Sequence, residues 1–228
     1  TYDWMEDRPG NSYAVLNPVD KASDCTVTDG NLKVTTTSVP VDNQVRGTIG
    51  VASGKWYWEV LVNSTSNATM LGVTDASNTA NTSVFPGSSS LTYGYNANNG
   101  NKYNSTNAAY GNTYGATDIV GCALDLDNGK IWWSKNGTWQ ASGDPAAGTN
   151  AAYTGLSGTK QPAAGDVSGA ASIDVAFNFG QRPFTYTPPT GFLALCQQNL
   201  TNETVTVSGS FTGNLAADGP FVWLNGVP

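Results

Sequence analysis

Apolar positions in this chain come in short runs cut by Gly, Asn and Asp, and no stretch sustains the i, i+3, i+4 pattern of an amphipathic helix. Residues 26–27 and 32–37 flank Asp29-Gly30, a dipeptide suited to the positive φ of a tight turn, and predict a first hairpin. Residues 55–62 read KWYWEVLV. Alternation puts Trp56, Trp58 and Val60 on one face and Tyr57, Glu59 and Leu61 on the other, and both faces are mostly apolar. Such a strand belongs in the middle of a two-sheet sandwich. Strands are also predicted at 70–74, 91–95 and 173–179. Residues 119–126, a turn at 127–129, residues 130–135 and a second turn at Asn136-Gly137 before Trp139 predict a three-stranded meander.

Two stretches lack this pattern. Residues 96–117, rich in Asn and Gly, predict an exposed loop with one strand near Tyr103. Residues 141–169, dominated by Ala, Gly, Ser and Pro, predict a second long loop. Loops longer than about 15 residues usually carry function, so the recognition surface is expected there. Its candidate ligand-binding anchors are Tyr103, Tyr110, Tyr114 and Trp139, whose rings can stack on a ligand while neighbouring amides hydrogen-bond it. From residue 201 the pattern changes again. TVTVSGSF alternates with Val205, Val207 and Phe211 on one face, and 221–224 opens a strand with no returning partner. The chain therefore divides into a β-sandwich over 1–200 and a C-terminal β arm over 201–228, which is expected to pair with another copy or a neighbouring protein.

Composition narrows the function. Charged residues are 12% of 228, about half the usual ~25%, while aromatics at 11% exclude a disordered chain. The net charge of −7, with only Arg8, Arg46 and Arg182 able to grip phosphate bidentately, argues against a nucleic-acid partner. There is no His, which removes Ser-His-Asp and Cys-His catalysis and every His-ligated metal. No apolar run reaches the roughly 18 residues of a membrane span, so no membrane insertion is expected. No basic-then-apolar leader opens the chain at Thr1, a start that suggests processing or trimming.

The remaining candidates for chemistry have structural explanations. Cys25, Cys122 and Cys196 are odd in number and widely spaced; Cys122 is expected as a buried inert thiol, and a Cys25–Cys196 bridge stays open. Asp125-Leu126-Asp127-Asn128-Gly129 resembles the start of a calcium loop, but position twelve is Asn136 where Glu is required, and a hairpin turn explains the same residues. Glu59 among aromatics lacks the paired carboxylate of a glycosidase. It is expected as a buried acceptor met by Arg46 or by backbone amides. No metal, cofactor or catalytic residue is predicted.

The segment Gly54-Lys55-Trp56-Tyr57-Trp58-Glu59-Val60 resembles the SPRY domain family, also called B30.2-like. Val45-Arg46-Gly47-Thr48 precedes it as in many members, and Leu71-Gly72-Val73 and Tyr93-Gly94-Tyr95 follow. The hairpin from Ile119-Val120-Gly121 to Lys135-Asn136-Gly137 and the closing Phe177-Asn178-Phe179-Gly180 complete an ordered series over roughly residues 14–200. The resemblance implies an all-β fold, a curved sandwich of two antiparallel sheets, that binds partners through loops at one edge and performs no catalysis. The low-charge Asn/Thr/Gly-rich style, with SGSFTGN and DGPFVWLNG near the end, resembles SPRY-containing structural proteins of bacteriophage virions. That implies a tail fibre, head fibre or capsid decoration located in the virion. Its partners would be other virion proteins or copies of itself in a homo-oligomer, together with a host surface glycan or protein. The alternative is a secreted or cell-surface bacterial carbohydrate-binding module.

Overall fold

The computed structural model describes residues 11–37, 42–65, 69–78, 84–167 and 172–200; the expected C-terminal arm lies outside them. Sixteen strands are present among the described residues, joined by turns and two short helical turns at Gln140–Ser142 and Gln197–Asn199. They run β1 (Leu16–Lys21), β2 (Cys25–Thr28), β3 (Lys33–Thr36), β4 (Asn43–Gly47), β5 (Lys55–Ser64), β6 (Thr69–Asp75), β7 (Thr92–Asn96) and β8 (Asn101–Asn104). Then follow β9 (Thr106–Ala109), β10 (Ile119–Asp125), β11 (Lys130–Lys135), β12 (Thr138–Trp139), β13 (Tyr153–Thr154), β14 (Lys160–Asp166), β15 (Asp174–Asn178) and β16 (Leu193–Ala194).

Two antiparallel sheets face each other. One has the order β1-β4-β14-β6-β7-β8-β9; the other has β12-β11-β10-β5-β15-β3-β2, with β13 paired to β11 and the short β16 added parallel to β5. The expected strand at 55–62 is the centre of the second sheet, between β10 and β15. Its two faces are both covered. Trp56, Trp58, Val60 and Val62 enter the core between the sheets, while Tyr57 packs outward with Trp132, Ala123 and Phe192. Trp56, Trp58 and Trp132 are all buried, at 3%, 2% and 0% exposure.

Glu59 explains how the outward face is closed. Its carboxylate is buried and accepts hydrogen bonds from the backbone N–H of Thr185 (2.9 Å) and Tyr186 (2.8 Å) and from the Tyr57 hydroxyl (3.0 Å). Of the two partners the sequence allowed, the backbone amides are the ones observed. Arg46 instead pairs with Asp20 and donates to the carbonyls of Asp75, Ala76 and Asn78. A carboxylate that ties down two main-chain amides acts as a brace, holding the segment that brings Phe184 against Tyr57 with ring centroids 5.0 Å apart.

The two expected long loops are where the structure departs from the sequence pattern. Residues 96–117 contain a hairpin, β8 and β9, rather than a single strand. Residues 141–169 contain β13 and all of β14, which sits inside the first sheet between β4 and β6. β14 reads KQPAAGD and lacks the β-branched residues that mark a strand. Small residues are needed because the chains are crowded: a side chain at Gly165 would place its Cβ 2.0 Å from the Asn43 carbonyl oxygen. Pro162 is tolerated because it lies just past the last registered pair with β4, Arg46 with Ala163.

Candidate interaction surface

The calcium-like residues form the β10–β11 turn. Asp125 accepts from the backbone N–H and side-chain amide of Asn128 (3.0 and 2.9 Å) and pairs with Lys55, while Asp127 accepts from the Gly54 N–H (2.7 Å). The positive φ of Gly129 completes the turn. Among the described residues, no group of three or more acidic or sulfur side chains is arranged to hold a metal. Cys25, Cys122 and Cys196 are all buried free thiols, so no Cys25–Cys196 bridge forms. Burial, with the Asp24 carboxylate nearby, pushes the Cys25 thiol up to about 12, and burial alone pushes Cys122 well above its ordinary value. Neither thiol is a nucleophile near neutral pH.

The two sides of the sandwich differ. On one side, β1 and β2 are joined by a short connection, and Lys21 donates to the Cys25 carbonyl. On the other, the sheets end in β9 and β12, and there part of the first expected segment meets Ala141, the first residue of the second. Asn99, Asn101, Ala109, Tyr110, Gly111 and Asn112 from the first segment meet Gln140 and Ala141, which follow β12, around an open groove of about 450 Å³. The contact is built by hydrogen bonds: Gln140 Oε1 accepts from the Asn112 N–H (2.8 Å), and Gln140 Nε2 donates to the Thr138 carbonyl (2.8 Å). Ala141 and Ser142 hold left-handed backbone conformations (φ 52° and 55°), a local strain of the kind that places a turn where regular structure would not.

The four candidate anchors do not share one role. Tyr114 is 4% exposed; its hydroxyl donates to the Tyr95 carbonyl (2.8 Å) and its ring lies 5.0 Å from that of Tyr95, so it pins the segment to the core and cannot reach a ligand. Tyr110 borders the groove but is largely covered. Its hydroxyl donates to the Trp133 carbonyl (3.3 Å) and accepts the Trp133 N–H (3.0 Å), and burial pushes it well above its ordinary pKa. Tyr103 is half-buried on β8, with its ring against Phe85 and its hydroxyl accepting from Asn99. Trp139 is half-buried against Tyr57. Tyr103 and Trp139 thus keep surface available, whereas Tyr110 and Tyr114 support it. The lining amides Asn99, Asn101, Asn112 and Gln140 were not singled out by the sequence, because one Asn among many in 96–117 carries no distinguishing signal.

No charged side chain lines this groove. Lys102 is nearby but turned inward, donating to the Ala152 carbonyl and lying 4.7 Å from the Tyr153 ring centroid. The surface offers carboxamides, main-chain groups and part of an aromatic ring, which suits recognition of a neutral partner and supplies no acid, base or nucleophile.

Residues 55–165 match the SPRY domain family. The chain is similar to Ran-binding protein 9 of Danio rerio, 29% identical over 178 residues, covering 75% of this chain and 28% of that protein. It is also similar to Ran-binding protein 10 of Danio rerio, 29% identical over 140 residues, covering 60% of this chain and 21% of that protein. It thus spans under a third of the length of these relatives. The crystal structure of the SPRY domain of human HERC1 matches with a TM-score of 0.55 at 19% identity, covering 71% of this chain and 96% of that one. The matched segment runs from the central strand β5 to β14, just under half of the chain, and with the fold shared with the HERC1 domain it makes this part of the chain similar to SPRY domains.

Proposed function

We propose that the chain is a non-enzymatic binding module that engages its partner through the open side of the sandwich, and that it does so on the surface of a bacteriophage particle. The observation that carries the contact surface is the convergence of residues 99–112 and 140–141 on one uncharged groove. Elsewhere the carboxylates in apolar surroundings are tied to the scaffold, as Glu59 is by two backbone amides. The particle setting is supported by resemblance: the 12% charged residues, the absence of His and the Asn-, Thr- and Gly-rich style with its SGSFTGN and DGPFVWLNG stretches resemble SPRY-containing structural proteins of bacteriophage virions. The similar Ran-binding proteins share the domain over less than a third of their length, so their partners are not transferred.

The test is cosedimentation with purified particles from the source. The chain should band with intact particles, and Ala109→Glu, which puts a charge into the neutral groove, should release it without changing the melting temperature. A wild-type chain that stays in the soluble fraction and is eluted from a neutral-glycan array would instead establish the carbohydrate-binding alternative.

A further inference from the structure

β9 ends the first sheet, and its residues Thr106, Asn107, Ala108 and Ala109 are all exposed. Among the described residues its backbone pairs only with β8, so one row of N–H and C=O groups faces solvent. Proteins ordinarily protect such an edge with Lys, Pro, a bulge or a covering segment. The other edges here are protected. β1 carries Pro18, Asp20 and Lys21 and has a register irregularity. β2 has Lys21 seated on its first carbonyl. β12 is two residues long. β9 has none of these devices, and its side chains are small and uncharged.

We propose that β9 is a strand-pairing edge whose occupant is the β9 of a second copy, joined antiparallel about a twofold axis. The inference rests on the open side being the contact surface and names its partner. Three observations favour a second copy. A self-pairing edge must be self-complementary, and Thr-Asn-Ala-Ala laid antiparallel on itself sets small neutral residues opposite one another, with no like charges in register. The chain carries a net charge of −7, so two copies meet most readily at a neutral patch, and neither the groove lining nor β9 contains an acidic residue. The one cation of the β8–β9 hairpin, Lys102, is held inward and does not oppose its counterpart. A four-residue ladder buries far less than the ~1,600 Å² of a standard interface, which places the association in the concentration-dependent range.

Sedimentation velocity on the full chain tests this. Wild type should shift from monomer to dimer between about 5 and 500 μM, more readily at 0.5 M salt, where repulsion between acidic copies is screened. The double variant Asn107→Lys, Ala108→Lys should remain monomeric over that range with an unchanged melting temperature, whereas Val19→Lys on β1 should behave as wild type. A wild-type monomer at every concentration, or a dimer that survives the double substitution, overturns the pairing. In either case a groove that still binds particles leaves the contact-surface reading standing, while failure of both removes it.

Discussion

Trp58 shows how much of the molecule is decided by single side chains. It is 2% exposed on the central strand, with its ring 6.5 Å from that of Phe179. Its alternation with Tyr57 made this position readable, because a strand apolar on both faces has to lie between two layers. Truncation to Ala would leave a cavity in the core between the sheets, and a loss of about 3–5 kcal/mol is expected. Thermal unfolding monitored by circular dichroism measures it; a variant melting within a degree or two of wild type would contradict the packing. Glu59 was legible only in part. Its burial followed from its aromatic neighbours, but the amides that meet it lie 126 and 127 residues away, and no local pattern announces such a partner.

At the scale of elements, strands with branched and aromatic residues were readable and strands of small residues were not. β5, β10, β11 and β15 stand where the apolar pattern placed them, whereas β14 (KQPAAGD) and β9 (TNAA), dominated by small and polar residues, read as loop. Crowding and edge position, not propensity, make them strands. β14 also ends in a buried carboxyl with a raised pKa. Asp166 is 2% exposed, and burial, aggravated by Asp24 and Asp42, pushes it up to about 6 despite hydrogen bonds with Asn43 and Thr36. A group with a raised folded pKa binds its proton more tightly when folded, so stability falls as pH rises from about 4 to 6. Asp75 has the opposite sign. Its hydrogen bonds from Lys160 and Ser77 outweigh burial and hold it at about 2, so stability is lost as pH falls below about 4. Maximum thermal stability is therefore expected near pH 4–5. Asp166→Asn should stabilise the protein at pH 7 by up to about 3 kcal/mol and leave it unchanged at pH 4. Parallel melts at the two pH values check this, and equal gains at both would show that the buried charge is not the cause.

On the scale of the whole molecule, the two sheets are joined on one side by the short β1–β2 connection and carry the open, amide-lined groove on the other, where β9 and β12 lie and hydrogen bonds such as Asn112 to Gln140 link the two sheets. The all-β sandwich and the SPRY motifs were legible because they reside in core residues repeated in order along the chain. The proposed contact surface draws on the first of the two segments the sequence marked and on only Ala141 of the second, and its particular side chains were not legible. Two of the four expected anchors, Tyr110 and Tyr114, turn their hydroxyls to carbonyls of the scaffold, a choice made by tertiary contacts that sequence spacing does not contain.

The central claim is that the open side, and not the closed one, meets the partner. Site-specific photo-crosslinking in the native setting tests it directly. A photoreactive residue is placed at Asn101 or Ala141 on the groove, or at the exposed Val19 on β1 as control. Discrete adducts from Asn101 and Ala141 that are absent from Val19 are the expected result, whether the captured chain is a second copy or another protein. Adducts from Val19 alone, or the same products from all three positions, would contradict the account.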